Sequence, residues 1–559
     1  VGVAASDGGD EAITERLIGA LEAALGSAAL AEPAGVREIA PPEGFSPDDP
    51  TDDWLSASDI SLLAAWEPID RNTIRVYLLA PPTSPPLAQL GDTPEPWVVR
   101  SPGNTPFEVA ASDDFKPLSS LAAGLLELQG GNRQAALTRL RPLQGEESAA
   151  PDAARADDQA IGSFAVGLAL ADEGDRIGAL QAFSQALRLR EDFPAARLNR
   201  GAMYLALGDQ AAAQSAFDRL PSWADDWPPA IYNRALSSLS AGGPAEALVE
   251  ADRAPDAGWS ANLRGIISYR QGDYAAALDD FRQAAAISDG DPASLFNQGL
   301  ALQALGDTEQ ALQVFSDLLA DEPDNPLYHR QRGLIYESAG RMVQAERAFN
   351  QAIALDPAYL DAYLDRAALS LSSGDASSAL ADAEQILSLD PDEGRAYRII
   401  GEAQLAQGDY TAAGEAFSTA LEKGLTSAEV YAGRGLSWQM RGYHPAAVED
   451  YQEALALGLD GGVWLYRYGV ALFEIGRYED ALDVLLGAVD GGYETAQAHA
   501  ALALALDATR HPAEAEQQIQ KALALDGQLK EPDYLLEQPL WSELMVSRAE
   551  VILARLEAD

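Results

Sequence analysis

At 559 residues the chain is too long for one hydrophobic core, so several domains or a repeat array are expected. Eighty-seven acids against 38 bases give a net charge of −49, which repels nucleic acid and anionic membrane surfaces and argues against both as partners. Cysteine is absent, which excludes disulfides, thiolate metal sites and a cysteine nucleophile.

The chain opens at Val1 in an apolar stretch, so a signal peptide or anchor is expected upstream, favouring an extracytoplasmic or membrane-anchored location over a cytoplasmic one. No apolar run approaches the ~18 residues of a membrane span. "VGVAA" (1–5) reads as a buried strand, "EAITERLIGALEAALG" (11–26) as an amphipathic helix and "VREIA" (36–40) as a second strand. "ISLLAAW" (60–66) and "TIRVYLLA" (73–80) form a hairpin around "EPIDRN". Strand, helix, strand and hairpin predict a small α/β domain over 1–115. Its end carries "PPTSPP" (81–86) and "TPEPW" (93–97), a linker or an extended edge segment. The turn "SDGGDE" (6–11) could cradle an anion at a helix start, but Asp7 and Asp10 repel phosphate, and a tight turn with a helix cap suffices. Asp52-Asp53 and Asp113-Asp114 fall in loops as solvated pairs.

Beyond residue 160 one pattern dominates. Gly265, Gly299, Gly333, Ala367, Gly401, Gly435, Gly469 and Ala503 lie 34 residues apart. Each is followed twelve places on by alanine (Ala277 through Ala515). A further four places on stand Phe281, Phe315, Phe349, Ala383, Phe417, Tyr451, Leu485 and Ile519. Gly167, Gly201 and Ala235 keep the same step, then a 30-residue step reaches Gly265; a weaker unit surrounds Gly124 and Ala136. The physical reading is a helical hairpin in which small residues let two antiparallel helices approach. Pairs such as Gly208-Asp209, Gly272-Asp273 and Gly374-Asp375 break the chain between helices: glycine ends the first, and aspartate favours the next start.

This spacing, with its small residue, tyrosine, alanine, aromatic and proline, resembles the tetratricopeptide-repeat family. "RGLIYESAGRMVQAERAFNQAIALDP" (332–357) is the fullest match, and the resemblance covers about 160–529. It implies a mainly α protein: a right-handed α-solenoid of about 11–12 hairpins behind the α/β domain. The organisation is then 1–115 as that domain with its Pro-rich linker, and 116–159 as a degenerate first repeat. The array spans 160–529, and 530–559 is a capping helix. The order of elements in 1–115 looks like the TolB-like amino-terminal region that precedes such repeats in bacterial proteins. Departures are Arg510 in place of a turn glycine, the shortened unit around Ala247, and no closing proline after Gly401.

Signatures of chemistry are missing. His329, His444, His499 and His511 are scattered without ligand spacing, and no GxSxG, Walker A or GxGxxG element occurs. No enzyme activity, metal or cofactor is expected. Arginine precedes the small residue in six units, as Arg200, Arg234, Arg264, Arg332, Arg366 and Arg434. Four of these have an acid before the aromatic place: Glu250, Asp280, Asp382 and Asp450. Units lacking the arginine lack the acid, which predicts a bridge within each hairpin. Arg200 and Arg332 face Ala216 and Ala348 and lack that partner.

One place earlier stand Asn199, Asn233 and Asn297, with Gln331, Asp365 and Arg467 at equivalent positions. The resemblance puts this place on the inner side of the first helix, where asparagines of related arrays hold an extended peptide's backbone. An amide offers both donor and acceptor, so it grips a peptide group without reading sequence. The lysines of the carboxylate-clamp version are missing. Arg330, Arg395, Arg398 and Arg467 lie at the same or adjacent places among Phe296, Tyr466 and Phe473, and either take an acidic partner stretch or neutralise neighbouring acids. The resulting expectation is a non-enzymatic scaffold binding a protein or peptide segment through Asn199, Asn233, Asn297, Gln331, Arg330, Arg395, Arg398 and Arg467. The alternatives are small-ligand sensing by the α/β domain with the repeats as output, or an accessory subunit of an envelope enzyme complex.

Overall fold

The computed structural model describes residues 2–5, 11–25, 37–38, 63–68, 73–79, 90, 107–110, 116–129, 132–144, 156–531, 534–535 and 540–558. The glycine-rich turn, the acid pairs and all of the Pro-rich stretch except Leu90 lie outside them. Two compact units divide the chain, Val1–Val314 and Phe315–Asp559.

In the first unit, β1 (Gly2–Ala5), β2 (Arg37–Glu38), β3 (Leu63–Pro68), β4 (Thr73–Leu79) and β5 (Phe107–Ala110) form one sheet, ordered β2-β1-β3-β4-β5. β1 runs parallel to both neighbours, pairing Gly2 with Arg37 and with Leu63. β3 and β4 make the expected hairpin, with Ala65 opposite Tyr77. The last strand, β5, follows the prolines and was not foreseen; of the strand expected over 36–40, the described residues are Arg37–Glu38. Helix α1 (Glu11–Leu25) buries Leu17 and Leu21, one turn apart, in the same core as Leu121 and Leu125 of the helix Lys116–Gln129. The first helix and the start of the array therefore share a core.

From Lys116 the first unit is built of antiparallel hairpins. Ala156–Asp172 packs on Arg176–Leu189, Pro194–Ala206 on Gln210–Phe217, Pro228–Ser240 on Pro244–Ala251, and Gly258–Arg270 on Tyr274–Ile287. The second unit repeats the motif, for example Pro326–Ser338 with Met342–Leu355, Leu360–Ser372 with Ala376–Leu389, and Ala428–Met440 with His444–Ala456. The Gly-Asp turns work as the sequence suggests. Gly208 adopts φ +80°, ending one helix, and the Asp209 carboxylate accepts from the Ala212 N–H at 3.1 Å to start the next. Asp175, Asp273, Asp375 and Asp409 cap in the same way. Arg510 takes the left-handed conformation without being glycine, at φ +68°.

The mid-helix small residue matches the ring it faces. A Cβ added at Gly201 would stand 2.3 Å from Phe217 Cε1, and one at Gly333 would stand 2.4 Å from Phe349 Cε1. Where the place is Ala235 or Ala367, the facing residue shrinks to Ala251 or Ala383. The pattern is thus steric complementarity within each hairpin. At the far end, Glu543–Ala558 buries Met545, Val546, Ala549 and Ile552 against the last hairpin's core. Trp541 donates to the Tyr466 hydroxyl at 3.2 Å, and Arg555 pairs with Asp507 and Glu516.

Candidate ligand site: the asparagine ladder

Three of the four predicted hairpin bridges form. Arg264 Nε donates to Asp280 at 3.0 Å, Arg366 grips Asp382 in bidentate fashion, and Arg434 does the same with Asp450 at 2.7 and 2.9 Å. The hydrogen bonds to these carboxylates raise the pKa of Arg366 and Arg434 above the ordinary guanidinium value. The fourth prediction, Arg234 with Glu250, is corrected. A 3₁₀ turn ahead of this hairpin, Ser222–Asp226, brings in Asp225, which accepts from Arg234 at 2.9 Å, while Glu250 meets Arg253. Arg200 and Arg332 each keep a buried Nε without a hydrogen-bond partner.

A second set of contacts joins successive hairpins. Asn262, three places before Gly265, meets Asn297, two places before Gly299; Asn297 Nδ2 donates to Asn262 Oδ1 at 2.9 Å. The same two places in the next units hold Arg330 and Asp365, 2.5 Å apart. One rung is an amide pair, the other an ion pair.

The asparagine rung carries something more. Asn199, Asn233 and Asn297 are all fully buried, and Asn262 is 3% exposed. Because Nδ2 of Asn297 is committed to Asn262, its outward atom is the acceptor Oδ1. That oxygen accepts the backbone N–H of Leu90 at 2.5 Å, from 207 residues earlier in the chain. The amide therefore does to an internal segment what was expected for a partner's backbone.

The remaining candidates are arranged differently. Gln331 is buried, at 8% exposure. Arg330 is held by Asp365 and lies 5.9 Å from the Tyr359 ring centre. Arg395 bridges Asp361 at 2.9 Å and Glu393 at 2.8 Å, and Arg398 pairs with Glu402 one turn on. For these three, neutralisation of neighbouring acids, one of the two readings of the sequence, is the arrangement present. Arg467 stacks over Trp464, its carbon 4.6 Å from the ring centre. Burial pushes the Tyr466 hydroxyl pKa up to about 12, against the lowering effect of the hydrogen bond from Trp541. Asn262 was missed because it stands one place earlier than the other asparagines; its signal is the 35-residue spacing to Asn297, repeated by Arg330 and Asp365. Nothing in the sequence connects Leu90 to the ladder.

Among the described residues no group of three His, Asp or Glu side chains could hold a metal ion, and no helix is long and apolar enough to cross a membrane.

Residues 164–229, 232–292, 296–359, 364–428 and 440–493 match the family model described as Tetratricopeptide repeat, together more than half of the chain. Among solved structures, a tetratricopeptide repeat protein from Parabacteroides merdae is 18% identical, covering 44% of this chain and 98% of its own, with a TM-score of 0.36. Cut9–Hcn1, an APC/C hetero-tetramer, is 15% identical over 79% of this chain and 84% of that one, with a TM-score of 0.42. YrrB, a TPR protein with an unusual peptide-binding site, is 19% identical over 37% of this chain and all of its own, with a TM-score of 0.31. No curated protein matches. None of these findings supports the TolB-like likeness of the first 115 residues.

Proposed function

Because the chain belongs to the tetratricopeptide-repeat family, we propose that it is a non-enzymatic protein-interaction scaffold that holds an extended partner segment by its backbone. The observation that carries this reading is the Asn297 Oδ1 contact to the Leu90 N–H. An acceptor presented from a rigid helix and oriented by Asn262 suits any extended chain with an unpaired N–H, whatever its side chains. Asn199 and Asn233 hold the same place in their own hairpins and extend the ladder within the first unit. The partner competes with the Leu90 backbone, so its sequence resembles the stretch around that residue, "PPLAQLGDTPEP" (85–96): proline-flanked and poor in charge. The rest of the reading is organisational, with 116–159 as an entry repeat, 160–529 as the binding array and 530–559 as its cap.

The experiment uses a fluorescent peptide of residues 83–97, "TSPPLAQLGDTPEPW", added to the full chain. Replacing residues 84–96 of the chain by Gly-Ser should tighten peptide binding about tenfold or more, because the internal competitor is lost. Adding Asn262→Ala with Asn297→Ala should abolish the gain. Equal binding by the asparagine-free and asparagine-containing chains would remove the basis of the proposal.

A further inference from the structure

The unpartnered Arg200 belongs to a site of a different kind. In the hairpin of Arg264, three places around the guanidinium satisfy it. Asp280, sixteen residues on, accepts at 3.0 Å; Gln283, nineteen on, accepts at 2.8 Å; and Ser260 accepts at 3.2 Å. In the hairpins of Arg366 and Arg434 the sixteenth place is again aspartate, and the residue three before the arginine is a tyrosine stacked at 5.5 or 5.6 Å. Around Arg200 every one of these places has changed. The sixteenth residue is Ala216, the nineteenth is Arg219, and the residue three before is Arg197.

A carboxylate and an amide acceptor are thus replaced by a methyl group and a second guanidinium, and the stacking tyrosine by a third. Among the described residues none of the three arginines forms an ion pair, although the chain carries 87 acids. Arg197 donates to the backbone oxygen of Glu191 at 2.5 Å, which orients it but leaves its charge unmatched. Burial, and then Arg197 and Arg219 nearby, push the Arg200 pKa below the ordinary guanidinium value. The Arg200 Nε is a buried donor with no acceptor, and two further guanidiniums, the half-buried Arg197 and the exposed Arg219, act on it. A carboxylate at this point satisfies the donor and offsets the like charges. Arg332 shows part of the same change, with Ala348 at the sixteenth place, but its nineteenth residue is still glutamine, Gln351, and its guanidinium lies 5.9 Å from Tyr336.

We propose that Arg197, Arg200 and Arg219 form an oxyanion site between the helix Pro194–Ala206 and the end of the helix Gln210–Phe217, just past which Arg219 stands. Its ligand is the carboxylate of an acidic partner side chain, occupying the place that Asp280, Asp382 and Asp450 fill internally in other hairpins. The guanidinium fork matches a carboxylate in bidentate fashion, as Arg434 and Asp450 do. This inference does not rest on the asparagine ladder, which uses other side chains and other chemistry.

The test is Ala216→Asp in the full chain, which restores the internal carboxylate and removes no arginine. The probe is a fluorescent acetyl-Glu-Asp-Glu-Asp-amide peptide, with inorganic phosphate as a separate arm. The expected result is saturable peptide binding to the wild type, weakened at least tenfold by Ala216→Asp, with a raised melting temperature in that variant. Arg219→Gln, which copies Gln283, should weaken the peptide without unfolding the chain. Peptide binding that Ala216→Asp leaves unchanged would overturn the proposal, as would no peptide binding. Binding of phosphate without the peptide would overturn the assignment to a carboxylate.

Discussion

Exchanging glycine for alanine in two helices of the second unit should change stability in opposite directions. Gly333 lies in mid-helix under Phe349: an added Cβ would stand 2.4 Å from Cε1, 2.5 Å from Cδ1 and 2.9 Å from Cζ, where ordinary contact begins at 3.4 Å. The ring is fully buried among Ala345 and Leu369, so it cannot swing into solvent, and helix or ring must yield by about 1 Å. Overpacking of this kind costs about 1–3 kcal/mol. Against it stands the gain of about 1 kcal/mol for alanine over glycine in a helix interior. The balance for Gly333→Ala is a loss of about 1 kcal/mol, or about 2–4 °C in melting temperature for a unit of this size. Gly487 is also helical, but nothing lies within 4 Å of its Cβ position, so Gly487→Ala keeps only the gain, about 0.5–1 kcal/mol. Urea unfolding followed by circular dichroism measures both. A third variant closes the cycle: on a Phe349→Ala background, as in the natural Ala367 and Ala383 pair, Gly333→Ala should become stabilising. If Gly333→Ala and Gly487→Ala shift the midpoint equally, the steric account of the repeat pattern fails.

Other substitutions probe the polar contacts. Asp450→Ala strands a guanidinium that is mostly buried and should cost about 2 kcal/mol in urea unfolding, whereas Arg434→Tyr with Asp450→Val, which copies Tyr468 and Val484, should come within about 1 kcal/mol of the wild type. Arg510→Gly relieves a left-handed conformation and should raise stability by about 1 kcal/mol, seen as a higher calorimetric melting temperature. The hydrogen bond from Arg395 holds the Glu393 carboxyl below its ordinary value of 4.5. A depressed acid contributes stability above its unfolded pKa and loses it as pH falls through the folded value. The wild type should therefore exceed Glu393→Gln in melting temperature at pH 7, and the difference should shrink steadily below pH 4.5.

Most of the repeat architecture was legible because it follows from local sterics and turn chemistry. Gly201 and Phe217, or Gly208 and Asp209, interact within one hairpin at a fixed spacing, and the sequence repeats that spacing. The Arg434 and Asp450 bridge was legible for the same reason: both residues belong to one unit and vary together. Arg234 departed from the rule because a 3₁₀ turn ahead of its hairpin supplied Asp225, a change of loop path that no periodicity encodes. The ladder was half visible. Asparagine at Asn199, Asn233 and Asn297 marks the place, but the rung to Asn262 joins neighbouring hairpins, and that offset depends on how hairpins stack. The contact to Leu90 spans 207 residues and involves only a backbone N–H, which leaves no trace in residue identity. Which acids meet Arg330, Arg395 and Arg398 was not legible, because Asp365, Asp361 and Glu402 are not distinguishable by sequence from the many other acids.

The central claim, that the ladder holds an extended backbone through an amide, is tested most directly by hydrogen exchange read at Leu90. The account predicts that the Leu90 amide is protected in the full chain. Asn297→Ala should speed its exchange about tenfold, the worth of one hydrogen bond of about 1.4 kcal/mol, without changing exchange in the hairpin of Arg434. A Leu90 amide that exchanges at the unprotected rate, or whose protection survives Asn297→Ala, would contradict it.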